Sequence, residues 1–130
     1  DRDSTLNQWF ISTYKNLYGT YPSGPAYQYG QAILAAKIAY DKAGSDATDE
    51  QLADALRGIT FESFSTTVEM SLGGGHQAVT ENGYGITKYD EANGENIVTD
   101  VKFYPGSCIM PPDGVNSVDW IKGGMAGAKC

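Results

Sequence analysis

The chain has 130 residues, 41% of them hydrophobic and 12% aromatic, with nine tyrosines. That is a one-domain length with enough apolar material for a core, which excludes a disordered chain. Nine Lys and Arg against 16 Asp and Glu leave a formal charge of −7, which disfavours nucleic acid and anionic lipid as partners.

Residues 4–17 carry Leu6, Trp9, Phe10, Thr13, Tyr14 and Leu17 at i, i+3, i+4 spacing, which predicts an amphipathic helix. The stretch from Tyr18 to Gly24 is dense in Gly, Pro and Ser and reads as a loop. Pro25 then stands where a first helical turn begins, and Gly44 lies just past its end. Between them, residues 26–43 are Ala-rich and apolar on most of their circumference, which predicts a largely buried second helix. Its longest apolar run, 32–36, is far too short to span a bilayer. Thr48-Asp49-Glu50-Gln51 matches a capping box and opens a short third helix, with Gly58 as its stop.

After Ile59 the period changes from helical to alternating. Phe64, Thr66, Val68 and Met70 alternate with polar residues, as in a half-buried strand. Residues 84–90 and 95–104 flank Asn93-Gly94 and predict a β-hairpin, with Asn82-Gly83 as a second turn signal before it. The tail from Pro105 is rich in Gly and Pro, with one helical turn expected around Trp120. Helices first and strands later give an α/β chain of the α+β kind: about three helices, a strand and a hairpin.

Chemistry-bearing motifs are sparse. Gly73-Gly74-Gly75 has no following GK[ST] and no helix, so it reads as a flexible turn rather than a phosphate loop. His76 is the only histidine, and no Gly-x-Ser-x-Gly elbow accompanies it. The acidic run from Asp90 to Glu95 lacks the ligand spacing of a calcium loop, with Ala92 at a position that needs oxygen. One His and two distant Cys do not make a zinc site. No catalytic residue, metal site or cofactor is therefore assigned. Cys108 and Cys130 bracket the tail and are expected to form a disulfide, which implies an oxidising compartment; two free thiols are the other reading. The sequence starts Asp1-Arg2-Asp3 with neither Met nor a leader, as in a processed product or a piece of a longer protein.

Tyr21, Tyr27 and Tyr29 flank the start of the second helix. Rings with polar tips beside a helix N-terminus suit a small-ligand cleft, with the N-terminus favouring an anionic group. The alternative is that these rings only pack beneath the loop.

The order of these segments also carries a likeness. An aromatic helix ends at Leu17-Tyr18-Gly19, followed by Pro22 and an Ala-rich helix closed by Lys42-Ala43-Gly44. Then come Leu52-Ala53-Asp54-Ala55-Leu56, Phe61-Glu62-Ser63-Phe64, Val68 and Met70, and His76-Gln77. The whole resembles the C-terminal part of the type I periplasmic solute-binding proteins of ABC transporters, in the branched-chain amino acid, urea and amide group. The resemblance implies two α/β lobes joined by crossover strands, with residues 1–130 a single fragment that contributes to both lobes. It implies no enzymatic activity, but capture of a small solute (amino acid, urea, amide or aromatic acid) for a membrane permease. It places Ala26, Tyr27 and Tyr29 on the ligand wall and the protein in the periplasm, or tethered outside a Gram-positive cell. Association with the remaining portion or with itself is expected, since elements meant for two lobes leave apolar faces uncovered. Three departures bear on the solute. Gly30-Gln31-Ala32 replaces a Tyr-Asp-Ala pattern, Thr66 stands where a Gly is favoured, and Ala26 is small where relatives carry a ring. The competing readings are a small secreted hydrolase working through acidic residues and a free-standing interaction module with exposed strand edges.

Overall fold

A computed structural model describes residues 3–71 and 77–128. The elements follow in the order α1 (Thr5–Tyr18), α2 (Gly24–Ala43), α3 (Asp49–Leu56), β1 (Thr60–Glu62), β2 (Thr67–Met70), β3 (Ala78–Val79), β4 (Asn82–Asp90), β5 (Glu95–Tyr104) and α4 (Ser117–Lys122). A 3₁₀ turn at Gly106–Cys108 separates the last two. Strands β1, β2 and β3 form one sheet in that order, and β4 and β5 form a second. The chain divides into two compact units, Asp1–Ala78 and Val79–Cys130.

In the first unit the helix ends follow local chemistry. Ser4 caps α1 by accepting from the Asn7 N–H, and Gly19 closes it at φ 73° with its N–H on the Lys15 carbonyl. The capping box on α3 forms in full: Thr48 Oγ1 accepts from the Gln51 N–H, and Gln51 Oε1 accepts from the Thr48 N–H. The helix ends at Leu56 with Arg57 as its cap, one residue before Gly58. Lys42 ties α2 to α3 by donating to the Ala55 carbonyl at 3.0 Å.

The expected strand over residues 64–71 is shorter and has a partner upstream. β1 pairs antiparallel with β2, Phe61 opposite Val68, around a turn over residues 63–66. Ser63 holds that turn, its N–H and its Oγ–H both donating to the Thr66 carbonyl. Only from Thr67 onward does burial alternate, with Val68 and Met70 inward. Phe64 is buried too, but from the turn. Val68, Met70, Phe64, Ala39 and Ala55 make the core of this unit, all small or apolar side chains.

Two expectations are overturned. α2 is not largely buried: Ala39 alone reaches full burial, while Tyr29 is 74% and Ile33 70% exposed. An Ala-rich helix is apolar nearly all round, but α1, α3 and the 63–66 turn cover only part of its circumference. Likewise Asn82-Gly83 is not a turn but the first pair of β4, Asn82 opposite Tyr104 and Gly83 opposite Phe103.

In the second unit the hairpin forms where expected. Asp90 builds its turn: the carboxylate accepts from the Ala92 N–H at 3.0 Å and from Asn93 Nδ2 at 2.7 Å. Gly94, at φ 69°, returns its N–H to the Asp90 carbonyl. The side-chain bond from Asn93 and the backbone bond from Ala92 hold the Asp90 carboxyl below its ordinary range. Along both strands large side chains stand exposed: Tyr84, Ile86, Val98 and Phe103. α4 supplies the expected helical turn around Trp120, which is buried with Nε1–H on the Ala126 carbonyl at 2.9 Å. Gly73 to Gly75, His76 and Cys130 lie outside the described residues, so the loop, histidine and bridge expectations reach no test there. No described cysteine is free.

Candidate functional site

The start of α2 is where sequence placed the ligand wall. Ser23 precedes the helix in extended conformation and makes no side-chain capping bond, and Pro25 occupies the first turn. Pro25 has no N–H and the Tyr27 N–H bonds the Ser23 carbonyl at 3.3 Å, so the N–H groups of Gly24 and Ala26 are the ones left to whatever approaches, the arrangement that favours an anionic group.

Helical geometry separates the three predicted wall residues. At 3.6 residues per turn, positions 26 and 29 fall about 60° apart, whereas 27 and 29 fall about 160° apart. Tyr27 turns inward to α1. Its ring meets Phe10 edge-on at 5.0 Å, and its hydroxyl donates to Asn7 Oδ1 at 3.1 Å. Burial raises the Tyr27 phenol pKa above its ordinary 10.0. Tyr29 points the other way, into solvent, with Ile33 one turn further along the same exposed face. Ala26 is half-buried between these two directions. The structure thus brings Ala26 and Tyr29 to neighbouring positions and assigns Tyr27 to packing against α1.

Beneath the start of α2 lies an aromatic and polar layer that sequence reading missed. Phe10 stacks on Phe64 at 4.2 Å, and Phe64 in turn faces Trp9 at 6.5 Å. The Phe64 ring occupies the space a side chain at position 30 would need: a Cβ on Gly30 would come within 2.5 Å of Cε2. One turn beyond Tyr27, Gln31 Nε2 donates to Ser63 Oγ at 2.9 Å and to Ser65 Oγ at 3.3 Å. Tyr27 and Gln31 at i, i+4 share one inner face of α2, and that spacing was the available signal. Gly30-Gln31, noted only as a departure from a pattern, marks where the 63–66 turn docks on the helix.

No family model matches the sequence, and no curated protein matches it. Among solved structures, the fold is that of part of a type I periplasmic binding protein. One such structure is a crystal structure of an ABC-type branched-chain amino acid transporter from Rhodopseudomonas palustris CGA009. The match has a TM-score of 0.68 at 21% identity and covers 79% of this chain. It spans 27% of the length of that protein. The likeness is one of fold, and it agrees with the fold class read from the sequence. Among the described residues, no helix is long and apolar enough to cross a membrane, and no cluster of His, Cys, Asp and Glu suits a metal ion.

Proposed function

We propose that this chain is part of an extracytoplasmic solute-binding component of an ABC transporter and carries one wall of its ligand cleft. The observation that supports this most is the conjunction of a binding-protein fold with an uncapped α2 N-terminus flanked by Ala26 and Tyr29. The uncapped turn favours a carboxylate or another negatively polarised group, and Tyr29 offers an apolar ring with a polar tip. Ala26, where a ring would narrow the site, leaves room for a bulky solute. Tyr27 serves this wall indirectly, by fixing α2 on α1 through Phe10 and Asn7. The solute is a small amino acid, urea, amide or aromatic acid. It is held between the two lobes of the full-length protein, and its differential affinity favours the closed state. A permease then receives it. The protein works without chemistry or cofactor, in the periplasm or tethered outside a Gram-positive cell.

Thermal unfolding in the presence of a panel of those solutes tests the proposal. A saturable rise in midpoint with at least one solute, no product formed, and loss of the effect in Ala26→Trp are expected. Turnover of any panel member would replace the binder with a hydrolase. A panel that leaves the midpoint unmoved would contradict binding by this chain.

A further inference from the structure

We propose that Asn93 is a site of spontaneous deamidation and that Asp90, in the same hairpin turn, sets its rate. The proposal concerns the second unit and is independent of the solute reading. An Asn-Gly pair carries its own reacting groups. The backbone nitrogen of the glycine attacks Cγ of the asparagine and gives up its proton to water. The Cγ–Nδ2 bond breaks, ammonia leaves with a proton from water, and a five-membered succinimide remains. Water then opens the ring on either side, leaving aspartate or, with the chain rerouted through the side chain, isoaspartate. The balance is one water in and one ammonia out. Glycine favours the step because no Cβ hinders the attacking nitrogen.

The chain has two such pairs, Asn82-Gly83 and Asn93-Gly94, and both are exposed, so access of water does not separate them. The backbone does. Asn82 and Gly83 are paired in β4 with Tyr104 and Phe103. Ring closure must rotate the asparagine until Cγ meets the next nitrogen, which would pull both residues out of that ladder. The Phe103 ring also lies over Gly83, 2.9 Å from where a Cβ would stand. Asn93 and Gly94 instead lie in the turn, beyond the last pair of Asp90 with Glu95. A Cβ on Gly94 would meet only the Tyr89 hydroxyl, at 3.9 Å. A turn with this much room opens more readily than a paired strand.

Asp90 is the brake on that opening. Its carboxylate accepts from Asn93 Nδ2 at 2.7 Å, and its carbonyl accepts from the Gly94 N–H at 2.8 Å. The leaving amide and the attacking nitrogen are thus both held by one residue. The product undoes this arrangement. A carboxylate at position 93 has no N–H to donate to Asp90 and sets a second negative charge beside it. The isoaspartate form also lengthens the backbone within the turn. The reaction therefore loosens the hairpin at the point where Asp90 builds it.

The test is peptide mass mapping of the 130-residue protein aged at physiological temperature and mildly alkaline pH, with and without urea. In urea both Asn-Gly peptides gain the mass of deamidation at similar rates. In the folded protein the gain appears at Asn93, with isoaspartate detected there, while Asn82 lags several-fold behind. Asp90→Ala speeds the reaction at Asn93 about fivefold, the factor that corresponds to one lost hydrogen bond. Asn82 staying slow in that variant shows that the ribbon is still paired. Asn93→Gln abolishes the gain at position 93. Should Asp90→Ala release Asn82 as well, Asp90→Asn provides the second reading: it keeps an acceptor oxygen but no charge, and gives a rate at Asn93 between those of the parent and the unfolded chain. No gain at position 93 in the folded parent, a rate at Asn82 equal to or above that at Asn93, or Asp90 variants no faster than the parent would each overturn the assignment.

Discussion

Gly30 is a helix-interior glycine, which ordinarily costs a helix about 1 kcal/mol relative to alanine. Here the Phe64 ring fills the space that a Cβ would take, so the ordinary preference reverses. Gly30→Ala gains that propensity but forces a buried ring aside, at about 1–3 kcal/mol. The expected net loss is about 1 kcal/mol in urea unfolding, and a more stable variant would show that the ring moves freely. Tyr27 gives a prediction of a different kind. Its raised phenol pKa means the folded chain favours the neutral form. Its contribution to stability is therefore complete below the unfolded value near 10 and is lost as pH rises through the folded value. Ring resonances of Tyr27 titrating above the ordinary phenol range, and absent in Tyr27→Phe, are the check. At Asp100 the backbone lies at φ 54°, where Asp is tolerated and β-branched residues are not. Asp100→Val should cost about 1–2 kcal/mol beyond the weak, exposed pair with Lys88 at 3.9 Å, while Asp100→Gly should stay within about 0.5 kcal/mol of the parent.

At the scale of elements, what the sequence made legible were features with a local cause. The three helices, the capping box at Thr48 and Gln51, and the Asn93-Gly94 hairpin each depend on residues within a few positions of one another. Thr48→Ala should cost about 1 kcal/mol in thermal unfolding, since it removes the acceptor for the Gln51 N–H. The features misread depend on partners distant in sequence. Asn82-Gly83 has the chemistry of a turn, yet Phe103 and Tyr104 across the ribbon draw it into a strand. Periodicity marked α2 as apolar but could not say how many neighbours would cover it. The sequence grouped Ala26, Tyr27 and Tyr29; their division between two faces follows from helical rotation and from Asn7, twenty residues away, accepting the Tyr27 hydroxyl. The Gln31–Ser63–Ser65 layer escaped notice because serines 32 and 34 residues downstream carry no local sign of their partner.

On the scale of the whole molecule, the chain spans 27% of the length of a protein whose fold it shares. The tail offers a further check on compartment. If Cys108 and Cys130 pair, intact mass without reductant falls by two hydrogens and returns on reduction, and cutting the bridge costs about 3 kcal/mol by the chain-entropy argument. An unchanged mass would remove the oxidising compartment from the account. Its central claim, that the first turns of α2 form a ligand wall, is tested most directly by amide chemical-shift mapping with amino acids, urea, amides and aromatic acids. The account predicts saturable shifts centred on Gly24, Ala26 and Tyr29, with Gly94 and its hairpin turn unmoved. Shifts centred on any other element, or none at saturating solute, would contradict it.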